Sequence, residues 1–185
     1  MTLPRGFKAN AEREATRLRK ELGISPAAPL DVRQLAEHMG VAVVSADRLV
    51  DRARLEELER LQAFSFSAAT FDVRGNSYVV TNPLRSEGRI FSDIAHELSH
   101  LLLKHELSEI RELDDVPFRT CQPNEEEEAT AFGGTLLLPR ALLLDAARRG
   151  LKPDAIATEN RVTLEMARYR YNSTGVAKQI TRRSS

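Results

Sequence analysis

The first half of the chain contains three segments whose hydrophobic residues follow a helical spacing. Residues 7–22 place small and apolar side chains three or four positions apart, with charged residues between them, and Gly23 follows. This pattern predicts an amphipathic helix that ends at the glycine. A second helix is predicted over residues 32–39, where Asp31 can cap the first turn, and a short surface helix over residues 55–63.

Three further segments of the same half have the pattern of β-strands. VAVV at 41–44 is continuously apolar, FSFSAATF at 64–71 alternates apolar and polar residues, and SYVVTN at 77–82 is β-branched and aromatic. Gly75 and Asn76 separate the last two segments and predict a hairpin turn. Together the three segments predict a small sheet, either mixed or antiparallel.

From about residue 87 onward the hydrophobic spacing is helical, with one polar loop between the first two segments. The helical segments are RIFSDIAHELSHLLLKHEL, EEEEATAFGGTLLL, PRALLLDAARRG, PDAIATEN and VTLEMARYRYN. Because the strand patterns are confined to the first half, we predict an α+β, helix-dominated fold with a small three-stranded sheet.

Composition and charge exclude several classes of protein. Of the 185 residues, 42% are hydrophobic and 29% are charged, which is ordinary for a folded globular domain. The 27 basic residues are balanced by 27 acidic ones, so no overall charge attracts nucleic acid. No stretch approaches the roughly 18 consecutive apolar residues of a membrane span, and the N-terminus has no signal-peptide pattern, so we expect a cytoplasmic protein without membrane contact. A single cysteine excludes an intrachain disulfide and a zinc ribbon.

The sequence HELSH at residues 96–100 lies within an apolar helical run. Residues four apart share a helix face, so His96 and His100 can bind one metal ion, with Glu97 beside them to polarise a water molecule. This spacing is typical of zinc-dependent hydrolases; the alternative is two surface histidines that flank a glutamate by chance. His38 and His105 have no motif around them, and we expect them to be structural or exposed rather than ligands.

A catalytic zinc ion normally has three protein ligands, so a third must be found. The motif HExxHxxGxxH is excluded, because Leu103 and Glu106 occupy its glycine and final histidine positions. Glu106 also falls on a different helix face from the two histidines, which makes it a weak candidate.

The acidic run at residues 125–128 begins a second predicted helix, for which Asn124 can be the N-cap. Acidic residues in a first turn ordinarily complement the helix dipole, and we expect three of these four to do so and the fourth to be a metal ligand. Gly133 and Gly134 weaken the helix, which makes sense if it packs closely against the helix of the HELSH motif.

AHELSHLLL is followed about 25 residues later by EEEATAFGGTLLLP. In this order and spacing, the two motifs resemble the ImmA/IrrE family of metallopeptidases, also called the M78 peptidases, over roughly residues 10–145. The resemblance implies a zincin-like domain, which we place at residues 1–148. Residues 149–185 then form a basic, helical C-terminal segment.

The resemblance also implies roles for individual residues. His96 and His100 match the two zinc ligands of the family, Glu97 matches its general base and Glu126 its third zinc ligand. Thr130 stands where related gluzincins have an Asp or Asn that supports the site, so the chain departs from the pattern there.

The register of the third ligand is open by one residue in either direction. Glu125 and Glu127 are the alternatives to Glu126, because the acids follow one another without a break.

The function implied by the resemblance is that of a zinc-dependent endopeptidase. Its substrate would be a helix-turn-helix repressor of the XRE type, often encoded beside it, whose cleavage derepresses stress, mobile-element or defence genes. Zn²⁺ would activate water, and Glu97 would take up and return the proton. The strand predicted at 77–82 could pair with an extended substrate. Candidate oxyanion donors are Tyr78, Tyr169, Tyr171 and Arg89.

Cys121 lies five residues before Glu126, in the loop that leads to the second helix. One hypothesis is that its thiolate binds zinc as a fourth ligand and keeps the enzyme inactive, as a cysteine switch, until oxidation or a partner removes it. The alternative is an inert loop cysteine.

The C-terminal segment is locally basic. Residues 161–185 contain six basic residues and one acidic residue, and residues 154–171 have the spacing of a helix-turn-helix. Arg168, Arg170 and Lys178 are therefore candidate contacts to single- or double-stranded DNA, which would be an activator of the enzyme. An alternative function is a DNA-binding regulator whose zinc site is structural or silenced. The alternative structure is a helical lid with a solvated basic face.

Overall fold

The computed structural model describes residues 3–63, 66–105, 109–113, 116–120, 122–176 and 179, with the backbone alone for the two segments between 109 and 120. The fold in these residues is α+β and helix-dominated, as predicted. The helices are α1 (Phe7–Glu21), α2 (Val32–His38), α3 (Arg52–Leu61), α4 (Glu87–Leu103), α5 (Pro123–Leu137), α6 (Arg140–Arg148), α7 (Pro153–Glu159) and α8 (Leu164–Ser173). A single 3-10 turn, Ala46–Arg48, is also present in this part of the chain.

The main sheet is a mixed sheet of three strands: β1 (Ala42–Ser45), β2 (Ala68–Val73) and β3 (Asn76–Thr81). Their spatial order is β1-β3-β2, with β1 parallel and β2 antiparallel to β3. The hairpin turn is formed by Arg74 and Gly75, which have φ angles of 54° and 78°. Two successive residues with positive φ suit the twist of a two-residue hairpin, so Asn76 belongs to β3 and not to the turn.

A second, two-stranded sheet lies between α4 and α5. Its strands, β4 (Glu109–Leu113) and β5 (Val116–Thr120), are antiparallel, and β5 lies beside β2 without joining the main sheet. The prediction that strands are confined to the first half was therefore wrong. The sequence of this hairpin is rich in charged residues, which concealed its short alternating pattern.

Helices α4 and α5 pack against each other at the centre of the fold. Ile94 and Leu98 of α4 and Phe132 and Leu136 of α5 are fully buried there. The two backbones approach so closely at Gly133 that a Cβ atom in its place would lie 3.1 Å from the carbonyl oxygen of Ala95. This contact agrees with the close packing predicted from the glycines.

Helix α5 begins two residues earlier than the acidic run suggests. Gln122 is its N-cap, Pro123 is the first helical residue, and the side chain of Glu125 accepts a hydrogen bond from the Gln122 N–H group (3.0 Å). The prediction that Asn124 caps this helix was wrong. Proline suits the first helical position because it has no N–H group to leave unpaired there.

The other end of α5 is held by two buried arginines. Arg19 of α1 donates to the carbonyl oxygen of Leu136 (2.7 Å), and Arg170 of α8 donates to that of Leu138 (3.0 Å) and to the carboxylate of Glu12 (2.8 Å). Burial lowers the pKa of Arg19 to about 10, against the opposing effect of the Glu12 charge. The last carbonyl groups of a helix have no partner within it, and these guanidinium groups supply one.

The predicted boundary at residue 148 stays a prediction. Helix α8, from the segment after it, packs against α5 through Arg170. Among the described helices, none is long and apolar enough to cross a membrane.

Candidate metal centre

Two histidines of α4 point towards the same position. Ser86 caps this helix by accepting a hydrogen bond from the N–H group of Arg89, and the helix runs unbroken to Leu103. His96 and His100 lie one turn apart on it, with their Nε2 atoms 3.0 Å from each other. His100 is almost fully buried and His96 is partly exposed.

Helix α5 brings Glu126 to these histidines. Its carboxylate lies 3.1 Å from Nε2 of His96 and 3.4 Å from Nε2 of His100. One atom from each of the three residues can be chosen so that all lie within 4.8 Å of one another. Glu125, an alternative for this position, is instead the residue whose side chain completes the cap of α5.

The donor atoms suit a divalent transition-metal ion. Two imidazoles and one carboxylate are a common ligand set for such ions, and a tetrahedral ion with metal–nitrogen bonds of about 2.0–2.1 Å holds its nitrogens roughly 3.3 Å apart. The observed separation of 3.0 Å between the two Nε2 atoms is close to this value.

Negative charge surrounds His96. Burial alone would lower the pKa of this imidazole, but the hydrogen bond to Glu126 and the charges of Glu97, Glu126 and Asp93 together raise it above its ordinary value. The same negative charges favour a bound cation.

Each histidine has a partner on its second nitrogen. Nδ1 of His96 lies 3.4 Å from the hydroxyl of Thr130, on α5. Nδ1 of His100 lies 2.9 Å from Nδ1 of His105, and Nε2 of His105 lies 3.3 Å from the carboxylate of Glu128, also on α5. Both imidazoles thus have contacts that lead to α5. His96 contacts Thr130 directly, and His100 is connected to Glu128 through His105.

The contact between His100 and His105 was missed in the sequence. His105 is buried, where the sequence favoured a structural or an exposed role. Lys104, with a φ of 56°, ends α4 in the left-handed conformation, and the N–H group of His105 then bonds to the carbonyl of His100 (3.1 Å). The contact could have been predicted from the position of His105, which lies two residues past the end of the HELSH helix. His38 is far less buried and lies 3.5 Å from Glu21.

Glu97 faces the cavity in front of the metal position. The hydroxyl of Thr70, on β2, donates a hydrogen bond of 2.5 Å to its Oε2 atom. The cavity has a volume of about 560 Å³, and the segment 67–70, Met166 and the candidate metal ligands line it. Of the four candidate oxyanion donors, Arg89 lines the cavity, where it forms an ion pair with Asp93 (2.8 Å).

The edge of the sheet at this cavity belongs to β2. Strand β3 has a partner on each side, so it cannot pair with a substrate, contrary to the expectation from its sequence. Asn82 N–H donates to the Ser67 carbonyl (2.8 Å), and the backbone groups of an antiparallel strand alternate between its two edges. Those of Ala68 and Thr70 therefore point away from β3.

Of the remaining predicted residues, the two that the structure describes, Arg168 and Arg170, do not line the cavity. Cys121 and Lys178 lie outside the described residues. Arg168 is exposed on α8, whereas Arg170 is buried and donates to the end of α5. A buried guanidinium that holds a helix end is not available to a nucleic-acid phosphate.

The model of the IrrE N-terminal-like domain, which defines the M78 peptidase family, matches residues 36–172. The chain belongs to the M78 peptidase family. The HELSH helix, α5 and the sheet of this M78 domain all lie within the matched residues. No curated protein matches the chain in sequence.

Among solved structures, the M78 domain is similar to a Mycobacterium tuberculosis transcriptional regulator, with 21% sequence identity and a TM-score of 0.56. The similarity covers 91% of this chain and 47% of the regulator, so the chain spans about half of that protein's length. At this level of identity the similarity supports the fold.

Proposed function

We propose that this M78 domain is a zinc-dependent endopeptidase. The observation that carries the proposal is the convergence of His96, His100 and Glu126 beside Glu97, at the wall of an open cavity. His96, His100 and Glu126 would hold a zinc ion through three protein ligands and leave a position for water, which is typical of catalytic rather than structural zinc sites.

Bound zinc supplies two effects in such a site: it lowers the pKa of water and polarises the carbonyl group of the substrate. The residues of this chain handle the protons. Glu97 accepts a proton from the attacking water and returns it to the departing amine. Thr70 holds one carboxylate oxygen of Glu97 by donating a hydrogen bond to it, which fixes the orientation of the base.

The edge of β2 provides a way to bind a peptide. The backbone groups of Ala68 and Thr70 point away from β3, and the segment 67–70 lines the cavity. Strand β5 lies beside β2 without pairing with it, so an extended segment of a protein substrate can add to the edge at residues 67–70 as a further strand, with its register set by backbone hydrogen bonds.

The substrate we propose is a helix-turn-helix repressor of the XRE type encoded beside this gene, whose cleavage derepresses stress or defence genes. Membership of the M78 peptidase family supports a protein substrate. The alternative function, a DNA-binding regulator with a silent zinc site, has less support because Arg170, one of its proposed contacts, is buried.

The test is cleavage by purified protein loaded with zinc. Wild type and Glu97→Gln are incubated with the neighbouring repressor and with reduced, unfolded casein, and bound zinc is measured in both variants. We expect cleavage by wild type and none by Glu97→Gln at equal zinc content. Cleavage at the same rate by both variants, or by neither, would refute the proposal.

A further inference from the structure

His105 connects a candidate metal ligand to a carboxylate. One of its nitrogens, Nδ1, lies 2.9 Å from Nδ1 of His100, and the other, Nε2, lies 3.3 Å from Oε2 of Glu128. His105 is 8% exposed and the side chain of Glu128 is about one-fifth exposed, so water competes little for either contact. The three side chains form a row that ends at the metal position.

Only one arrangement of protons in this row leaves His100 able to bind a cation. A metal on Nε2 of His100 needs the lone pair of that atom, so the proton of His100 must be on Nδ1. That N–H group then donates to Nδ1 of His105, which must accept with its own lone pair. The proton of His105 is therefore on Nε2, where it donates to Glu128.

The opposite arrangement blocks the site. If the proton of His105 moved to Nδ1, it would donate to Nδ1 of His100, whose own proton would then lie on Nε2, at the metal position. The negative charge of Glu128 opposes this change, because a carboxylate only accepts hydrogen bonds. Thr130, beside His96, cannot select an arrangement in the same way, since a hydroxyl both donates and accepts.

We propose that Glu128 and His105 are positioning residues that fix the proton of His100 on Nδ1 and so raise the affinity of the site for Zn²⁺. The inference rests on the proposed zinc site. Partners of ligating histidines typically change metal affinity about 10–100-fold when they are removed. We expect the same range for Glu128→Ala and His105→Phe.

The dissociation constant for Zn²⁺ is measured by competition with a chromophoric chelator, and thermal unfolding of each metal-free variant checks that it is folded. Glu125→Gln is the matched control, since it removes one charge from the same helix turn and retains an acceptor for the cap. We expect the Zn²⁺ affinity of Glu125→Gln to stay within about twofold of wild type, because Glu125 contacts neither His105 nor His100 and water screens its charge. A loss as large as that of Glu128→Ala would contradict the inference.

The double variant Glu128→Ala/His105→Phe separates the proposal from a general effect of charge. Because Glu128 acts through His105, we expect the double variant to bind Zn²⁺ no more weakly than His105→Phe alone. If the losses of Zn²⁺ binding free energy in the two single variants add up in the double variant, the proposal is overturned. Equal affinity of wild type and both single variants would do so as well, while a wild type that binds no zinc would refute the proposed function itself.

A second measurement does not depend on any substitution. Long-range ¹H–¹⁵N correlation spectra of the zinc-loaded protein distinguish the two neutral forms of each histidine. We expect the proton of His100 on Nδ1 and that of His105 on Nε2. A proton on Nδ1 of His105 would contradict the proposal.

Discussion

Replacing Gly133 by alanine tests whether the contact between α4 and α5 sets the geometry of the metal site. The added Cβ atom would lie 3.1 Å from the carbonyl oxygen of Ala95 and 3.2 Å from the nitrogen of His96. Both atoms are backbone, so they cannot rotate away, and the two helices must separate by a few tenths of an ångström. That movement would pull His96 from Glu126.

Gly134 offers a control at the next position. A Cβ atom there would meet the Cδ atom of Arg170 at 3.3 Å, which is a side-chain methylene rather than backbone. Both substitutions gain about 1 kcal/mol of helix propensity, and this gain cancels when the two variants are compared. Overpacking at Gly133 costs about 1–3 kcal/mol. We therefore expect Gly133→Ala to be less stable than Gly134→Ala by about 1–3 kcal/mol.

The assay is urea denaturation of the metal-free variants, followed by titration with Zn²⁺. We expect Gly133→Ala to have the lower free energy of unfolding and the weaker zinc binding, and Gly134→Ala to bind zinc as wild type does. Equal free energies of unfolding together with equal zinc affinities would show that the helix contact does not set the spacing of the ligands.

Three further predictions concern individual side chains. Glu126→Gln is expected to lose its zinc on dialysis while Glu125→Gln retains it, as measured by metal analysis; the reverse result would move the ligand by one residue. Thr70→Val should lower kcat about 10–100-fold, the value of one hydrogen bond to a carboxylate, with KM and zinc content unchanged and activity regained in Thr70→Ser; an unchanged kcat would show that Glu97 needs no support. Arg170→Met leaves the carbonyl of Leu138 without its guanidinium partner, so we expect a loss of about 1–3 kcal/mol in urea denaturation, and no loss would contradict the capping role.

The histidine pair was predictable because a fixed spacing on a helix fixes geometry. Glu126 could not be singled out by spacing alone, since the register of α5 depends on where the helix begins. Both Gln122 and Asn124 can act as caps, and the structure uses Gln122 because Pro123 suits the first helical position. With the helix starting there, the side chain of Glu125 bonds to the N-cap residue and that of Glu126 reaches the histidines.

Arg170 is a residue for which the sequence pattern predicted the wrong role. Its basic neighbours and their spacing favoured a nucleic-acid surface, because a buried arginine is rare. Its true partners, the end of α5 and Glu12, are 32 and 158 residues away in sequence, and no local pattern reveals contacts at such distances. The hairpin of β4 and β5 was missed for a related reason, since its polar sequence carries no strong hydrophobic period.

The two arginines at the end of α5 have a consequence for the order in which the protein is built. Arg19 leaves the ribosome before α5 is made, but Arg170 emerges only after all the candidate metal ligands and after Thr70 and Glu97. Until then the last carbonyl group of the helix that carries Glu126 lacks its partner from α8. A nascent chain therefore exposes all the candidate site residues before α8 has been made, and the contact that caps the end of α5 forms only after α8 emerges.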